Sequence, residues 1–425
     1  MVRSVESVGS PAREADGMHT MTGAATARMG PWRFVVVFGV VSLLADFVYE
    51  GGRSITGPLL ASLGASAVVV GVVTGAGEGA ALALRLVSGP LADRTQRFWA
   101  LTIGGYAVTV ISVPLLGVAG ALWLACSLVI AERVGKAVRS PAKDTLLSHA
   151  TAVTGRGRGF AVHEAMDQVG ALLGPLTVAA MLALTGGDYG PALAVLAVPG
   201  VAVIVVLAWL RRRVPDPAAY EAAAGPAPVP GSPEHRIPLP RDFWVYAAFT
   251  AATTAGLATF GVLSYHLVAE DVMAEAAVPV LYAAAMGVDA IAALASGWLY
   301  DRVGARTLVV LPGLAAIVPI LAFTDRVDLA IAGVLVWGAA VGVQESTLRA
   351  TVADLVPAGR RATAYGLFAA VIGVATLAGG AIAGALYAYS ISLLIVATVA
   401  FQAAALVLLL LVRAAMARRR SPQEG

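Results

Sequence analysis

The chain has 425 residues, of which 59% are hydrophobic and only 13% charged, and its formal net charge is +3. Because ordinary soluble domains carry about 25% charged residues, this composition excludes a soluble globular protein. Apolar runs recur from Trp32 to Arg413, and each is long enough to cross a hydrocarbon core of about 30 Å. The runs do not alternate as the strands of a membrane barrel do. We therefore predict an all-α integral membrane protein.

The hydropathy pattern predicts twelve transmembrane helices in two groups of six. Their approximate bounds are 33–62, 66–91, 98–119, 121–147, 158–185, 189–210, 242–268, 276–300, 307–324, 328–355, 362–388 and 391–412. Short hairpins such as Gly64-Ala65 and Ala119-Gly120 make consecutive helices antiparallel neighbours. The one long break is rich in Pro and Ala, which is typical of a linker without a core of its own. The predicted units are a tail at 1–31, bundles at 32–210 and 242–413, the linker at 211–241 and a tail at 414–425.

Basic residues are distributed unequally between the two sides of the predicted membrane protein. Of the 29 Lys and Arg residues, 22 lie in the tails, the linker and the loops on the same side, whereas the opposite loops contain only Arg326. An excess of Lys and Arg marks the cytoplasmic side. We therefore expect both termini in the cytoplasm and a multi-pass protein of the plasma membrane. Residues 1–30 are polar, so we expect no cleaved signal peptide.

A short motif occurs twice, offset by 208 residues, after the second and eighth predicted helices. The repeated positions are Gly89, Asp93 and Arg94 in the first copy and Gly297, Asp301 and Arg302 in the second. This Gly-x-Leu-x-Asp-Arg pattern resembles the signature loop of the major facilitator superfamily. The resemblance implies two pseudo-symmetric six-helix bundles that rock about a central site. We expect the two glycines to permit close backbone approach and the two aspartates to bind a helix N-terminus as a conformational switch.

Two further motifs resemble features of the same superfamily. Gly170, Gly174 and Pro175 on the fifth predicted helix resemble the motif of antiporters and exporters, which implies export. The spacing also fits close helix packing with a bend at the proline, and this alternative stays open. On the fourth predicted helix, the segment from Glu132 to Arg139 resembles the superfamily's helix with a conserved arginine.

Charged residues inside the predicted spans indicate function, because each costs about 3 kcal/mol to insert. The bases are Arg53, Arg85, Arg133, Lys136, Arg139 and Arg349. The acids are Asp46, Glu50, Glu78, Glu132, Glu164, Asp167, Asp289 and Glu345. Acids outnumber bases by two, and burial of an unpaired carboxyl favours its neutral form. We therefore expect one or two of the acids to carry protons.

Helical spacing assigns partners to some of these charges. The expected local pairs are Glu50 with Arg53, Glu132 with Lys136, and Glu345 with Arg349. Asp46, Asp167 and Asp289 have no Lys or Arg three or four residues away. Most of the acids lie in the first half, and Asp46 lies near the middle of the first helix. The predicted proton carriers are therefore Asp46 and Glu50, with Asp167 as second choice.

These features together predict a secondary active transporter. The sequence lacks metal-ligand spacing, a phosphate-binding loop and a nucleophile–base pair, so we expect no enzyme activity and no cofactor other than the proton gradient. The expected partners are a small molecule, protons and the lipid bilayer, without nucleic acid. We predict export of an amphipathic or drug-like molecule by proton antiport. The alternative is a symporter or facilitator that takes up an anionic nutrient bound by Arg133, Lys136 and Arg139.

Overall fold

A computed structural model describes residues 29–154, 156–222, 239–356 and 361–420, whose backbone is helical apart from short turns. The helices are α1 Pro31–Ser62, α2 Ala67–Thr95, α3 Phe98–Leu116, α4 Leu122–Thr154, α5 Arg156–Thr185, α6 Tyr189–Ala194, α7 Ala197–Arg213, α8 Ala218–Ala222, α9 Arg241–Ala255, α10 Phe260–Ala269, α11 Ala277–Val303, α12 Val310–Ala322, α13 Val327–Leu355, α14 Arg361–Tyr389 and α15 Ile391–Arg420.

The helices agree with the twelve predicted spans. Helices α6 and α7 together form one span, α9 and α10 form another, and α8 lies in the linker. Short breaks separate α6 from α7 and α9 from α10, and a 3-10 segment Gly304–Val309 precedes α12. In the described part of the chain, ten segments are both long and apolar enough to cross a membrane. The other two predicted spans, α2 and α4, have the length but carry the charged residues noted above. The fold is thus an all-α integral membrane architecture.

Two helices extend beyond their predicted ends, with consequences for the repeated motif. Both copies of Gly-x-Leu-x-Asp-Arg are helical, since α2 continues to Thr95 and α11 to Val303. Each helix stops at a residue with positive φ, Gln96 at 54° and Gly304 at 63°, which ends a helix by reversing the local twist. The prediction of a loop at the motif itself was therefore wrong, and the turns follow it.

The start of the linker packs against the first half instead of lying apart from any core. The described part of the linker contains α8, whose Tyr220 hydroxyl donates to the carbonyl of Met29 at 2.7 Å and whose ring contacts Phe34. Trp99 Nε1 donates to the carbonyl of Pro215 at 3.1 Å. The linker residues Val214 and Tyr220 belong to a hydrophobic core of the first half. The division into domains by residue number otherwise stays a prediction.

The two halves are in contact at the end of the bundle at which the turns after α1 and α3 lie, which we call the hairpin end. There α2 and α14 approach so closely that a Cβ on Gly71 would overlap the carbonyl of Gly380. Likewise, a Cβ on Gly57 of α1 would overlap the carbonyl of Gly261 of α10. Small residues let helix backbones pack this closely in lipid. The opposite end, with the start of α1 and the end of α15, is called the terminal end.

A central cavity and its charged cluster

A cavity of about 490 Å³ lies between the two halves. The first half contributes charged and hydroxyl-bearing residues to its wall, namely Arg53, Thr56, Thr74, Arg133 and Lys136. The second half contributes aromatic residues, namely Phe260, Trp337, Tyr365 and Phe368, together with the polar residues Gln344 and Glu345. Toward the hairpin end a hydrogen bond of 3.0 Å between the hydroxyls of Thr74 and Thr259 joins the halves. The cavity therefore has a charged wall and an aromatic wall on opposite halves.

Three cations surround the ring of Tyr49, a buried residue of α1. The ammonium of Lys136 lies 3.8 Å from the ring centroid, and the guanidinium carbons of Arg133 and Arg53 lie at 4.7 and 5.9 Å. The negative face of an aromatic ring attracts cations, more strongly where water is excluded. Tyr49 thus gathers cations from α1 and α4 at the edge of the cavity.

Glu50 is buried and contacts both halves of the protein. Its carboxylate lies 3.6 Å from Arg53 on the same helix, which confirms the pair predicted from their spacing. It also accepts a hydrogen bond from the hydroxyl of Tyr282 on α11. The first contact is within α1, whereas the second crosses from the first half to the second. Glu50 therefore belongs to the contact between the two halves.

The other predicted charges of α4 have different neighbours. Glu132 and Arg133 are both buried and form an ion pair of 3.3 Å. Lys136 lies on the ring of Tyr49, and its predicted pairing with Glu132 stays a prediction. Arg139 is buried with its guanidinium 4.1 Å from the centroid of Tyr106. Arg139 does not line the cavity formed by the described residues. Of the three cations predicted to hold an anionic nutrient, Arg133 and Lys136 line the cavity.

A second polar cluster lies inside the first half, nearer the terminal end. Asp167 of α5 lies 3.9 Å from Lys143 and 3.4 Å from His163. His163 Nε2 in turn lies 2.7 Å from the hydroxyl of Ser42, which is 3.4 Å from that of Tyr106. Spacing along α5 gave Asp167 no Lys or Arg, and its cationic neighbour, Lys143, comes instead from α4. Asp167 is therefore part of an ion pair between two helices.

The remaining predicted acids and bases lie at separate places. Asp46 is half-buried one turn before Glu50 on α1, and Glu345 of α13 is exposed at the cavity. Asp289 is buried on α11, where a Cβ on Gly342 would lie 2.7 Å from its Oδ1. The side chains outside the described part are those of Glu78, Arg85, Asp93, Glu164, Asp301 and Arg349. Their predicted roles stay predictions.

The glycine motifs differ in how tightly they pack. Cβ atoms on Gly170 and Gly174 would overlap the carbonyls of Leu43 and Phe47, so α5 lies directly against α1. Pro175 is buried inside α5. A Cβ on Gly297, by contrast, would meet no atom of the described residues within 4 Å, so the expected close approach at this glycine was wrong.

The arginines of the repeated motif lie at the surface. Arg94 is exposed, and the exposed Arg302 stacks over the ring of Trp298 at 3.5 Å. Gly89, the remaining position of that motif, lies outside the residues whose surroundings are described. The proposed switch by the two aspartates therefore stays a prediction.

Several residues of the two clusters were missed by sequence reasoning. Tyr49 and Lys143 were detectable in principle, since Tyr49 is one turn from Arg53 and Lys143 is one turn from Arg139 on a continuous helix. Tyr282 had no signal, because helical periodicity says nothing about which residues meet across two bundles.

Long apolar helices in two groups about a charged cavity define a membrane transporter. The chain matches the family model of the Major Facilitator Superfamily over residues 42–324 and 267–425. The protein therefore belongs to the major facilitator superfamily, and it is a secondary transporter for a small molecule and not an enzyme.

Comparisons with individual proteins agree with this family. An uncharacterised protein of Mycobacterium tuberculosis is 63% identical over 391 residues, which covers 92% of this chain and 95% of that protein. An uncharacterised transporter of the same superfamily type from Methanocaldococcus jannaschii is 24% identical, covering 84% and 89%. A bacterial homologue of the human lysosomal transporter Spinster has a similar fold, with a TM-score of 0.70, 17% identity and coverage of 91% and 97%. The nucleoside transporter NupG also has a similar fold, with a TM-score of 0.67, 14% identity and coverage of 90% and 98%.

Proposed function

We propose that this protein moves small amphipathic molecules across the plasma membrane by alternating access, coupled to protons that bind Glu50. The observation that carries the proposal is the pair of contacts made by the buried Glu50 carboxylate, one with Arg53 and one with Tyr282 of the other half. An ionisable group in contact with both halves can make the orientation of the halves depend on its protonation.

The positive-inside distribution of Lys and Arg supports a cytoplasmic position for the terminal end. The halves are in contact at the hairpin end, so this arrangement corresponds to a cavity that is closed to the outside. Reorientation requires the halves to separate at the hairpin end, and the hydrogen bond between Tyr282 and Glu50 must then break. The proposal therefore assigns this bond to the inward-facing state.

Protonation of Glu50 would weaken the contact between the halves. A hydrogen bond to a charged acceptor is roughly twice as strong as one between neutral groups. A neutral Glu50 also loses its attraction to Arg53. Proton binding at Glu50 therefore favours opening at the hairpin end, where protons enter from outside. Asp46 lies one turn nearer the terminal end on α1, and it is proposed as the relay that carries these protons from Glu50 toward the cytoplasm.

Export is the direction implied by the likeness of the Gly170, Gly174 and Pro175 motif to exporters. The close packing of α5 on α1 accounts for the two glycines in any direction of transport, so export rests on the resemblance. Uptake is the second candidate, and it is favoured by the cations that line the cavity, since a small nutrient anion would be attracted to them.

The test measures accumulation of a panel of amphipathic anions, cations and neutral compounds in cells that express the protein, with and without a protonophore. A matched strain expresses Glu50→Gln at the same level. The proposal expects at least one compound whose accumulation falls, for export, or rises, for uptake, only when the proton gradient and Glu50 are both present. A change that survives the protonophore, or that Glu50→Gln leaves intact, would refute proton coupling. No change for any compound would refute the substrate class.

A further inference from the structure

We infer that the cavity selects an amphipathic organic anion, held with its anionic group at the cations of α1 and α4 and its apolar body against the aromatic wall of the second half. This inference rests on the proposed transport function and names the chemical class of its substrate. It follows from the composition and positions of the two opposite walls.

The charged wall favours an anion. Among the described residues that line the cavity, three are cations and one, Glu345, is an acid. The three cations converge on a single ring, that of Tyr49, which concentrates positive charge in one region of the wall. A carboxylate, phosphate or sulfonate placed there would accept charge-assisted hydrogen bonds, which are stronger than bonds between neutral groups.

The acids near these cations do not reverse that preference. The carboxylates of Glu50 and Glu132 contact Arg53 and Arg133, and neither acid belongs to the cavity lining described here. A guanidinium has five N–H donors and an ammonium three, so each cation has more donors than a single carboxylate contact uses. The three cations therefore line the cavity, whereas Glu50 and Glu132 are absent from its described lining.

The opposite wall favours an apolar, flat body. Phe260 and Trp337 lie with their ring centroids 5.5 Å apart, and Tyr365 and Phe368 continue the wall on α14. The indole N–H of Trp337 donates to the carbonyl of Ala258 at 2.9 Å. Its polar atom is thus bound to the protein, so Trp337 contributes an apolar surface. Aromatic rings pack well against other rings in offset or edge-to-face arrangements.

The volume and the remaining lining residues limit the substrate further. A cavity of about 490 Å³ lies within the range of about 300–1,000 Å³ that is typical of sites for drug-sized ligands. Thr56, Thr74, Thr254 and Thr259 also line it and supply hydroxyl groups for polar substituents. The structure therefore favours a compact molecule with one anionic group and one or two rings.

The test compares three compounds that share a naphthalene body and differ in charge: naphthalene-2-sulfonate, naphthalene-2-sulfonamide and (2-naphthyl)trimethylammonium. Isothermal titration calorimetry on the purified protein in detergent gives each dissociation constant. We expect the sulfonate to bind at least about tenfold more tightly than the other two, which corresponds to one strong charge-assisted contact. Equal or tighter binding of the ammonium compound would overturn the inference, as would absence of binding by all three.

Variants then locate the preference. Lys136→Gln and Arg53→Gln should each reduce sulfonate affinity about tenfold and leave the sulfonamide unchanged, whereas Lys136→Arg should retain the preference. Arg306→Gln, at an exposed position outside the cavity, is the control with the same loss of charge. If the protein still prefers the sulfonate to the sulfonamide in both Lys136→Gln and Arg53→Gln, the assigned site is contradicted. These binding measurements need no proton gradient. If the protein prefers the sulfonate but shows no proton-driven transport, the proposed function is refuted and the inference about the substrate stands.

Discussion

The hydroxyl of Tyr282 on α11 donates a hydrogen bond to the carboxylate of Glu50 on α1, and the bond joins the two halves of the transporter beside the central cavity. Both residues are buried. Glu50 also contacts Arg53, so its carboxylate contacts both its own helix and the opposite half. The proposed proton coupling depends on this bond, because it is the contact of Glu50 with the opposite bundle.

The first prediction concerns the strength of that bond. Tyr282→Phe removes the donor without changing any charge, and a hydrogen bond to a charged group contributes about 1.5–3 kcal/mol. We expect the ratio of open to closed hairpin ends to rise by about tenfold or more. The measurement is the rate of maleimide labelling of Ser264→Cys, a buried residue of the hairpin-end contact, in a Cys126→Ser background.

The control for this prediction is Tyr389→Phe, the same chemical change at a residue that is 82% exposed. It should leave the labelling rate unchanged. If Tyr282→Phe and Tyr389→Phe label at the same rate, the bond to Glu50 does not hold the hairpin end closed.

The second prediction separates structural from functional acids. Asp167→Asn should destabilise the protein by roughly 3 kcal/mol, because it leaves the charge of Lys143 in a largely buried site without its carboxylate. The pair lies at 3.9 Å, and each side chain is less than a fifth exposed, at 17% and 16%. The measurement is the midpoint of thermal unfolding in detergent.

The double variant Asp167→Asn with Lys143→Met tests the cause. Removing both charges should restore most of the lost stability, since neither charge is then buried alone. A stable Asp167→Asn protein that loses only proton-driven transport would contradict this account and return Asp167 to the proton carriers.

The third prediction concerns the contact between α1 and α5. Gly174→Ala should lower the yield of folded protein and its unfolding temperature, because even one methyl group overlaps the Phe47 carbonyl. The backbone of α1 cannot move aside without separating the two helices. Gly104→Ala on α3 is the matched control, since a Cβ there meets nothing within 4 Å and alanine favours the helix by about 1 kcal/mol. Equal behaviour of the two variants would show that the close packing is not required.

Sequence reasoning was accurate where a single helix decides the outcome. The spacing of Glu50 and Arg53 predicted their contact, and the hydropathy of the long runs predicted the helices, because lipid requires each span to satisfy its own backbone hydrogen bonds. The helix-5 glycines were correctly associated with close packing for the same local reason. The repeated motif likewise indicated the superfamily and hence the two bundles.

Sequence reasoning was less accurate for contacts between side chains of two different helices. Asp167 was assigned no basic partner, since Lys143 comes from another helix and spacing along one helix does not show contacts with its neighbours. Arg139 was assigned to the cavity because it lies close to Lys136 in the sequence, yet its guanidinium lies over the ring of Tyr106. The contact between Tyr282 and Glu50 spans 232 positions, and no periodicity encodes a distance of that kind. The position of each half relative to the other is a property of the folded chain.

The most direct test of the central claim is a distance measured across the hairpin end at two pH values. Spin labels at Ser62→Cys and Ala269→Cys, both exposed and on different halves, are introduced in a Cys126→Ser background in lipid nanodiscs. Pulsed electron paramagnetic resonance compares about pH 8 with about pH 5. The account predicts that acidification shifts the population toward longer distances, and that Glu50→Gln shows the longer distances at both pH values. A distribution that is independent of pH in the parent protein, or that still changes fully with pH in Glu50→Gln, would contradict it.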